Sequence, residues 1–328
     1  MAILDFFRNL FTAEKRAGNY FDPKSFSSLG GSGITVNKDT ALTFSAVWAA
    51  IRILSESVAQ LPIQLVERAE NGDKQNRSDH FLYKVIHNKP NEFMTNYTFI
   101  QKIMYDLCVA GNSYVKIERN GAGRPVALHP LNVSDVEIKI FEERYYYYDN
   151  NTGESLEYEE ILHFKIMSQD GMTGTSPIDT CANSISWGLG LEAYGNSYFQ
   201  NGAKLSGVLQ TDRALSTEAI DRLRNSFDMN YSKIGDSNKT MILEEGLKFT
   251  GISLSNEASQ FLSSRQFSIE EIARIFNIPP HLLRDLSKSS FNNIQEQSRE
   301  FVQYSLMPYL AMIEQEMTNK LFKKNEQG

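Results

Sequence analysis

The strongest constraint on this chain is a helix that starts at Ser176 and meets no stop signal before Asn201-Gly202. Ser176 is a good N-cap. Pro177 suits the first helical position, because its missing N–H is one that a helix start leaves unpaired anyway. At 1.5 Å per residue the run spans roughly 36 Å, long for a helix of a globular domain. A second long helix is predicted over 256–276 and ends at Pro279-Pro280, neither of which can donate a backbone hydrogen bond. Helices of this length suit side-by-side packing. Between them, 207–250 reads as a compact insert with a strand at 207–210, a short helix capped by Ser216 and a strand region near 240–250.

The rest of the chain alternates between helix and strand signals. Val47, Ile51, Leu54, Val58 and Leu61 form one helical stripe that Pro62 stops. Residues 63–68 read as a strand, followed by the hairpin signal Asn71-Gly72. A helix is predicted over 96–110, with Asn96 as cap and Gly111 as left-handed terminator. Residues 113–119 should pair with 125–129 across Asn120-Gly121. The tyrosine run 145–148 and the strand 160–166 flank the turn 149–153, and the alternation of the run describes a sheet surface rather than a ligand box. A last helix over 291–323 carries Val302, Leu306, Ile313 and Met317 on a common face, with Pro308 inside it as a kink. No internal repeat is visible.

Composition narrows the function classes. The chain has 328 residues, 41% hydrophobic and 22% charged, which suits about two packed domains rather than disorder. Its net charge of −7 opposes the basic footprint of a tight nucleic-acid binder. Two distant cysteines, Cys108 and Cys181, exclude a disulfide framework and the usual structural zinc sites and fit a reduced setting. No apolar run reaches the length of a membrane span. Residues 1–39 read as an arm. Ile3, Leu4, Phe7, Leu10 and Phe11 share one helical face, which fits a docking segment better than a membrane-surface helix, and a Gly- and Ser-rich linker follows.

Enzymatic motifs fail on context. Ser113-x-x-Lys116 lies on a strand, where the two side chains point to opposite faces. Gly188-x-Gly190 lies inside a helix, and the stretch 235–240 lacks a Gly-Lys pair for phosphate. His80 and His87 stand two helical turns apart and read as packing or surface residues rather than metal ligands. No catalytic residue, cofactor or metal is therefore expected. Residues 269–283 have the cadence of a helix-turn-helix. However, 256–300 holds five basic and six acidic residues, which supplies no phosphate-binding face.

The same stretch carries a family resemblance. Ile272-Ala273-Arg274 through Asn277-Ile278-Pro279-Pro280-His281-Leu282-Leu283 resembles a signature of tailed-phage portal proteins. It continues through Ser290-Phe291-Asn292-Asn293, Phe301-Val302 and Leu306-Met307-Pro308. Asp170-Gly171 through Ser176-Pro177-Ile178, Phe199-Gln200-Asn201-Gly202-Ala203 and Ser206-Gly207-Val208-Leu209 are similar to upstream family motifs, and the likeness spans about 40–323.

The resemblance implies an α+β portal fold with a mixed wing (40–175), a two-helix stem (176–206 and 252–279) and a small α/β clip (207–251). It also implies a tunnel loop (280–290), a kinked wing helix and a short crown or tail (291–328). It implies a dodecameric ring of this chain at one capsid vertex of a virion, assembled in the host cytoplasm. Double-stranded DNA would be packaged and ejected through it without sequence preference. The implied partners are the large terminase, head-completion or connector proteins and the major capsid protein, with no membrane. In this reading Arg284, Ser287, Lys288 and Ser289 face DNA from the tunnel loop. Lys233, Asp236, Ser237, Asn238 and Lys239 dock partners from the clip. An acidic chain with few local cations suits a channel that must not hold DNA tightly.

Overall fold

The computed structural model describes residues 34–68, 73–141, 144–200, 207–211, 216–231, 247–251, 255–284 and 291–323. The chain enters through two helices, α1 (Lys38–Thr43) and α2 (Ser45–Ala59). Asn37 and Thr40 form a reciprocal cap at the start of α1. Val47, Ile51, Leu54 and Val58 are buried along α2 as their spacing demands. Leu61 departs from that stripe. It lies beyond the helix end and is 39% exposed. Strands β1 (Val66–Arg68) and β2 (Lys74–Asn76) then pair antiparallel as a short hairpin. Its Asn71-Gly72 turn lies outside the described residues.

A one-turn helix, α3 (Phe81–Tyr83), leads through a π-helical turn (Lys84–Asn88) to α4 (Asn96–Ala110), which packs on α2. The cap of α4 is Thr95 rather than Asn96. Its hydroxyl accepts from the Thr98 backbone while Thr98 reaches back, satisfying two orphan amides at once. Gly111 ends α4 in the left-handed conformation, as expected.

Strand β3 (Asn112–Arg119) pairs with β4 (Pro125–Pro130) on one side and with β8 (Ile161–Lys165) on the other. A second antiparallel sheet joins β5 (Val136–Phe141), β6 (Arg144–Asp149) and β7 (Glu154–Leu156). The tyrosine strand β6 therefore pairs with β7 across the 149–153 turn, and the 161–165 strand joins the other sheet instead. Its Ile161, Leu162, His163 and Phe164 are all buried, so it needs partners on both faces. The tyrosines alternate as read, with Tyr147 buried among Tyr114, Leu156 and Ile161.

The helix beginning at Ser176 is broken. The turn α5 (Pro177–Thr180), capped by Ser176, gives way at Cys181 to α6 (Ala182–Gln200). Strand β9 (Gly207–Gln210) and strand β10 (Lys248–Gly251) pair antiparallel, so the segment between them leaves and returns through one short ladder. That segment holds α7 (Thr217–Tyr231), which is four turns long rather than short. Helix α8 (Ser255–Ile275) returns against α6. After it come a 3-10 turn (Pro280–Leu283), α9 (Phe291–Glu300), a π-helical turn (Phe301–Leu306) and α10 (Met307–Leu321). Leu306, Ile313 and Met317 are buried, but the π turn rotates Val302 outward, leaving it 50% exposed. One apolar core runs through α2, α4, the β3 sheet, α5 and the inner ends of α6, α8 and α10.

A buried polar network ties these layers together. Asn112 donates through Nδ2 to the carbonyls of Ala110 and Gly174, so its Oδ1 is the acceptor, taking the Gly174 amide at 2.7 Å. His163 must then donate through Nε2 to that oxygen (3.0 Å) and accept the Tyr147 hydroxyl at Nδ1 (3.1 Å). Lys320, buried at the end of α10, donates to the Ile161 carbonyl and pairs with Glu316, each at 2.7 Å. Glu316 in turn accepts the His163 amide. The last helix is thereby fastened to the sheet edge at two points.

Candidate functional site

No enzyme-like centre forms among the described residues. Among the described residues no three His, Cys, Asp or Glu side chains converge as metal ligands, and none of their helices is long and apolar enough to cross a membrane. Ser113 donates to Asp106 and Lys116 pairs with Glu154, so the Ser-x-x-Lys spacing joins nothing on one face. His80 caps α3 and His87 bonds the Ile63 carbonyl, as packing residues do. The loop 168–173 is held by Asp170, whose carboxylate takes the amides of Met172 and Thr173 and the hydroxyls of Thr173 and Ser168. Burial pushes its pKa upward, but those four bonds outweigh it and hold it at about 2. This is a structural turn.

Exposed apolar side chains and an open groove lie on α6, α8 and the turn that ends α8. Helix α6 is apolar on two opposite faces. One face, with Ile185 and Gly188, is covered by the chain itself. A side chain at Gly188 would meet the Phe44 ring at 2.4 Å, so Gly188 serves close packing. At Gly195 the same holds more mildly, with Phe261 of α8 at 3.0 Å. The other face carries Trp187, Leu191 and Tyr194, spaced i, i+4, i+7. Trp187 is 54% and Tyr194 55% exposed, although Tyr194 also leans on Phe261 with ring centroids 5.6 Å apart. On α8, Leu262 and Phe267 lie open as well. The sequence reading missed this stripe, and its signal was the aromatic spacing.

At the end of α8 the chain makes two left-handed turns. Asn277 (φ 51°) is the first and Arg284 (φ 66°), after the 3-10 turn, is the second. The left-handed Asn277 thus closes α8, two residues before the prolines to which the sequence assigned the stop. The Ile278 amide reaches the Ala273 carbonyl at 2.8 Å and the Asn277 amide reaches Arg274, a Schellman closure. Four residues of 3-10 turn cannot make a recognition helix, which removes the helix-turn-helix geometry. An open groove of about 370 Å³ lies between this turn and the π turn, lined by Glu270, Asn277, Pro280, Gln297 and Tyr304 among others.

Of the sequence-predicted site residues, Arg284 is exposed at the end of the 3-10 turn. Ser287, Lys288 and Ser289 lie outside the described residues, as do Lys233, Asp236, Ser237, Asn238 and Lys239.

A sequence profile described as phage portal protein matches residues 45–328, seven-eighths of the chain. The chain belongs to the phage portal protein family. Members of this family are structural proteins, not enzymes. The chain is 29% identical to the portal protein of Enterobacteria phage HK97 over 309 residues, covering 92% of this chain and 72% of that one. It is 30% identical to the probable portal protein of Streptomyces phage phiC31 over 330 residues, covering 94% and 71%. In three dimensions it is similar to the crystal structure of an HK97 family phage portal protein from Corynebacterium diphtheriae. The TM-score is 0.61 at 16% identity, over 89% of this chain and 93% of that one. It is also similar to a chain from the neck of a native gene transfer agent particle computed with C12 symmetry. There the TM-score is 0.60 at 18% identity, over 86% and 78%. At these identities the structural matches establish the portal fold, which is the mixed helix-and-sheet class read from the sequence.

Proposed function

We propose that this portal-family chain assembles into a twelve-membered ring whose central channel passes double-stranded DNA into and out of a phage head. The observation that carries the reading is the second apolar face of α6. A helix apolar on both sides is normally buried on both sides. Trp187 and Tyr194 remain 54% and 55% exposed in the single chain, although Tyr194 leans on Phe261. A neighbouring copy is the cover that makes sense of them, because a closed ring repeats one head-to-tail contact around an axis. The C12 symmetry of the similar neck particle supports twelve copies.

In this reading α6 and α8 are the stem and the segment between β9 and β10 is the clip. Residues 280–290 are the tunnel loop, and α9 through α10 is the kinked wing helix. The clip residues Lys233, Asp236, Ser237, Asn238 and Lys239 dock the large terminase during packaging and head-completion proteins afterwards. The rim of the ring meets the major capsid protein. Arg284, Ser287, Lys288 and Ser289 line the narrow part of the channel. The net charge of −7 supports a wall that lets phosphates slide rather than bind.

The direct test replaces Trp187 and Tyr194 together by glutamate. The double variant should fold and remain monomeric at concentrations where the unaltered chain forms rings. Unchanged ring assembly by the double variant would remove this face from the interface.

A further inference from the structure

Asn277 joins two elements that are distant in sequence. It is the left-handed residue that closes α8, at φ 51°. Its side-chain Nδ2 donates to the Tyr304 carbonyl at 2.9 Å, and its own carbonyl accepts the Ser305 hydroxyl. Tyr304 and Ser305 belong to the π-helical turn Phe301–Leu306 that precedes Pro308. In an α-helix the Tyr304 carbonyl would receive the amide four residues on, which is position 308. Pro308 has no amide to give. The π turn shifts the pattern by one residue, with the Met307 amide bonding Val302.

We infer that Asn277 is a positioning residue whose side-chain amide replaces the N–H that Pro308 lacks, and that it thereby locks the base of the 280–290 segment to the bend in the C-terminal helix. The two bonds run in opposite directions, so the contact fixes both distance and orientation. The Schellman closure beside it is short and well formed, with Ile278 and Ala273 both buried. Three residues on, the chain turns again at Pro280–Leu283 and Arg284. Any shift at the bend is therefore passed to the point where 285–290 departs. The consequence for DNA rests on the reading of that segment as a channel loop, whereas the clasp itself does not.

The bland explanation is that asparagine occupies position 277 only because it tolerates the left-handed region. Glycine separates the two, since it adopts that region at least as easily and has no donor. Hydrogen exchange of the Ile278 amide in the full chain reads opening of the turn. Asn277→Gly should accelerate it roughly five- to tenfold, the worth of about one uncharged hydrogen bond. Asn277→Asp, which keeps the left-handed preference but offers no donor, should accelerate it at least as much. Restoring an amide with Pro308→Ala should make the Asn277→Gly effect much smaller, a non-additivity expected of partners in one bond.

In assembled rings, Asn277→Gly should lower DNA retained per ring without changing ring number or size. Equal exchange in Asn277→Gly and the unaltered chain would overturn the clasp, as would full additivity with Pro308→Ala. Faster exchange with undiminished DNA retention would overturn the positioning role. Failure of the unaltered chain to form rings would instead sink the portal-ring reading and leave the exchange result standing.

Discussion

At the residue scale, much of the fold is decided by a few groups whose surroundings allow little substitution. Gly111 combines φ 73° with a Cβ position 2.3 Å from the Thr175 carbonyl oxygen. Gly111→Ala should therefore cost about 2 kcal/mol or more in a denaturant titration, from backbone strain and overpacking together. Gly111 was legible in the sequence because it followed a periodic helix. Asn277 was not, because the Pro-Pro pair beside it offered a sufficient stop signal. The His163 network was invisible too, since its members come from segments far apart in sequence.

That network sets a pH dependence. Burial first, then Lys165 and Lys320, push the His163 pKa down to about 3 from an ordinary 6.5. Between those values the unfolded chain binds a proton that the folded chain refuses, so stability falls as pH falls through the window. By pH 5 the loss from this group is about 2 kcal/mol. His163→Gln should flatten the stability profile between pH 7 and 5. An unchanged slope would show that His163 is not held neutral.

At the element scale, single-element patterns were legible and partnerships were less so. The α4 helix and the β3–β4 hairpin lie within a residue or two of their sequence-read bounds. The partner of 161–165 was misjudged because proximity in sequence favoured a hairpin, while a strand buried on both faces needed the β3 sheet. The break at Cys181 leaves no strong sequence signal, since no proline or glycine marks it. The exposed face of α6 shows what a single chain leaves undone. Covering the open halves of Trp187 and Tyr194 would stabilise an interface by roughly 2 kcal/mol per ring, at about 25 cal/mol per Å².

Two proposed elements have their own tests. Substituting Lys233 and Lys239 by glutamate should abolish terminase or connector attachment while rings still form. Loss of ring assembly, with no separate docking defect, would show that the clip assignment is wrong. Lys288→Glu, repeated around the axis, should leave assembly intact and impair DNA packaging or retention. Rings that carry it and package normally would remove Lys288 from the channel wall.

At the scale of the whole molecule, the family is established by the match over 45–328 and by relatives covered over more than nine-tenths of this chain. That outcome was legible because many short motifs occur in one order, even though none is diagnostic alone. What the chain does as an assembly depends on surfaces that only another copy can complete, and periodicity within one sequence cannot reveal that copy. The central claim is the ring. Electron microscopy of the purified full-length chain, with its mass measured under native conditions, tests it most directly. Annular particles with an open centre and the mass of twelve subunits are expected. Monomers or dimers alone, at concentrations where exposed aromatic faces should associate, would contradict it.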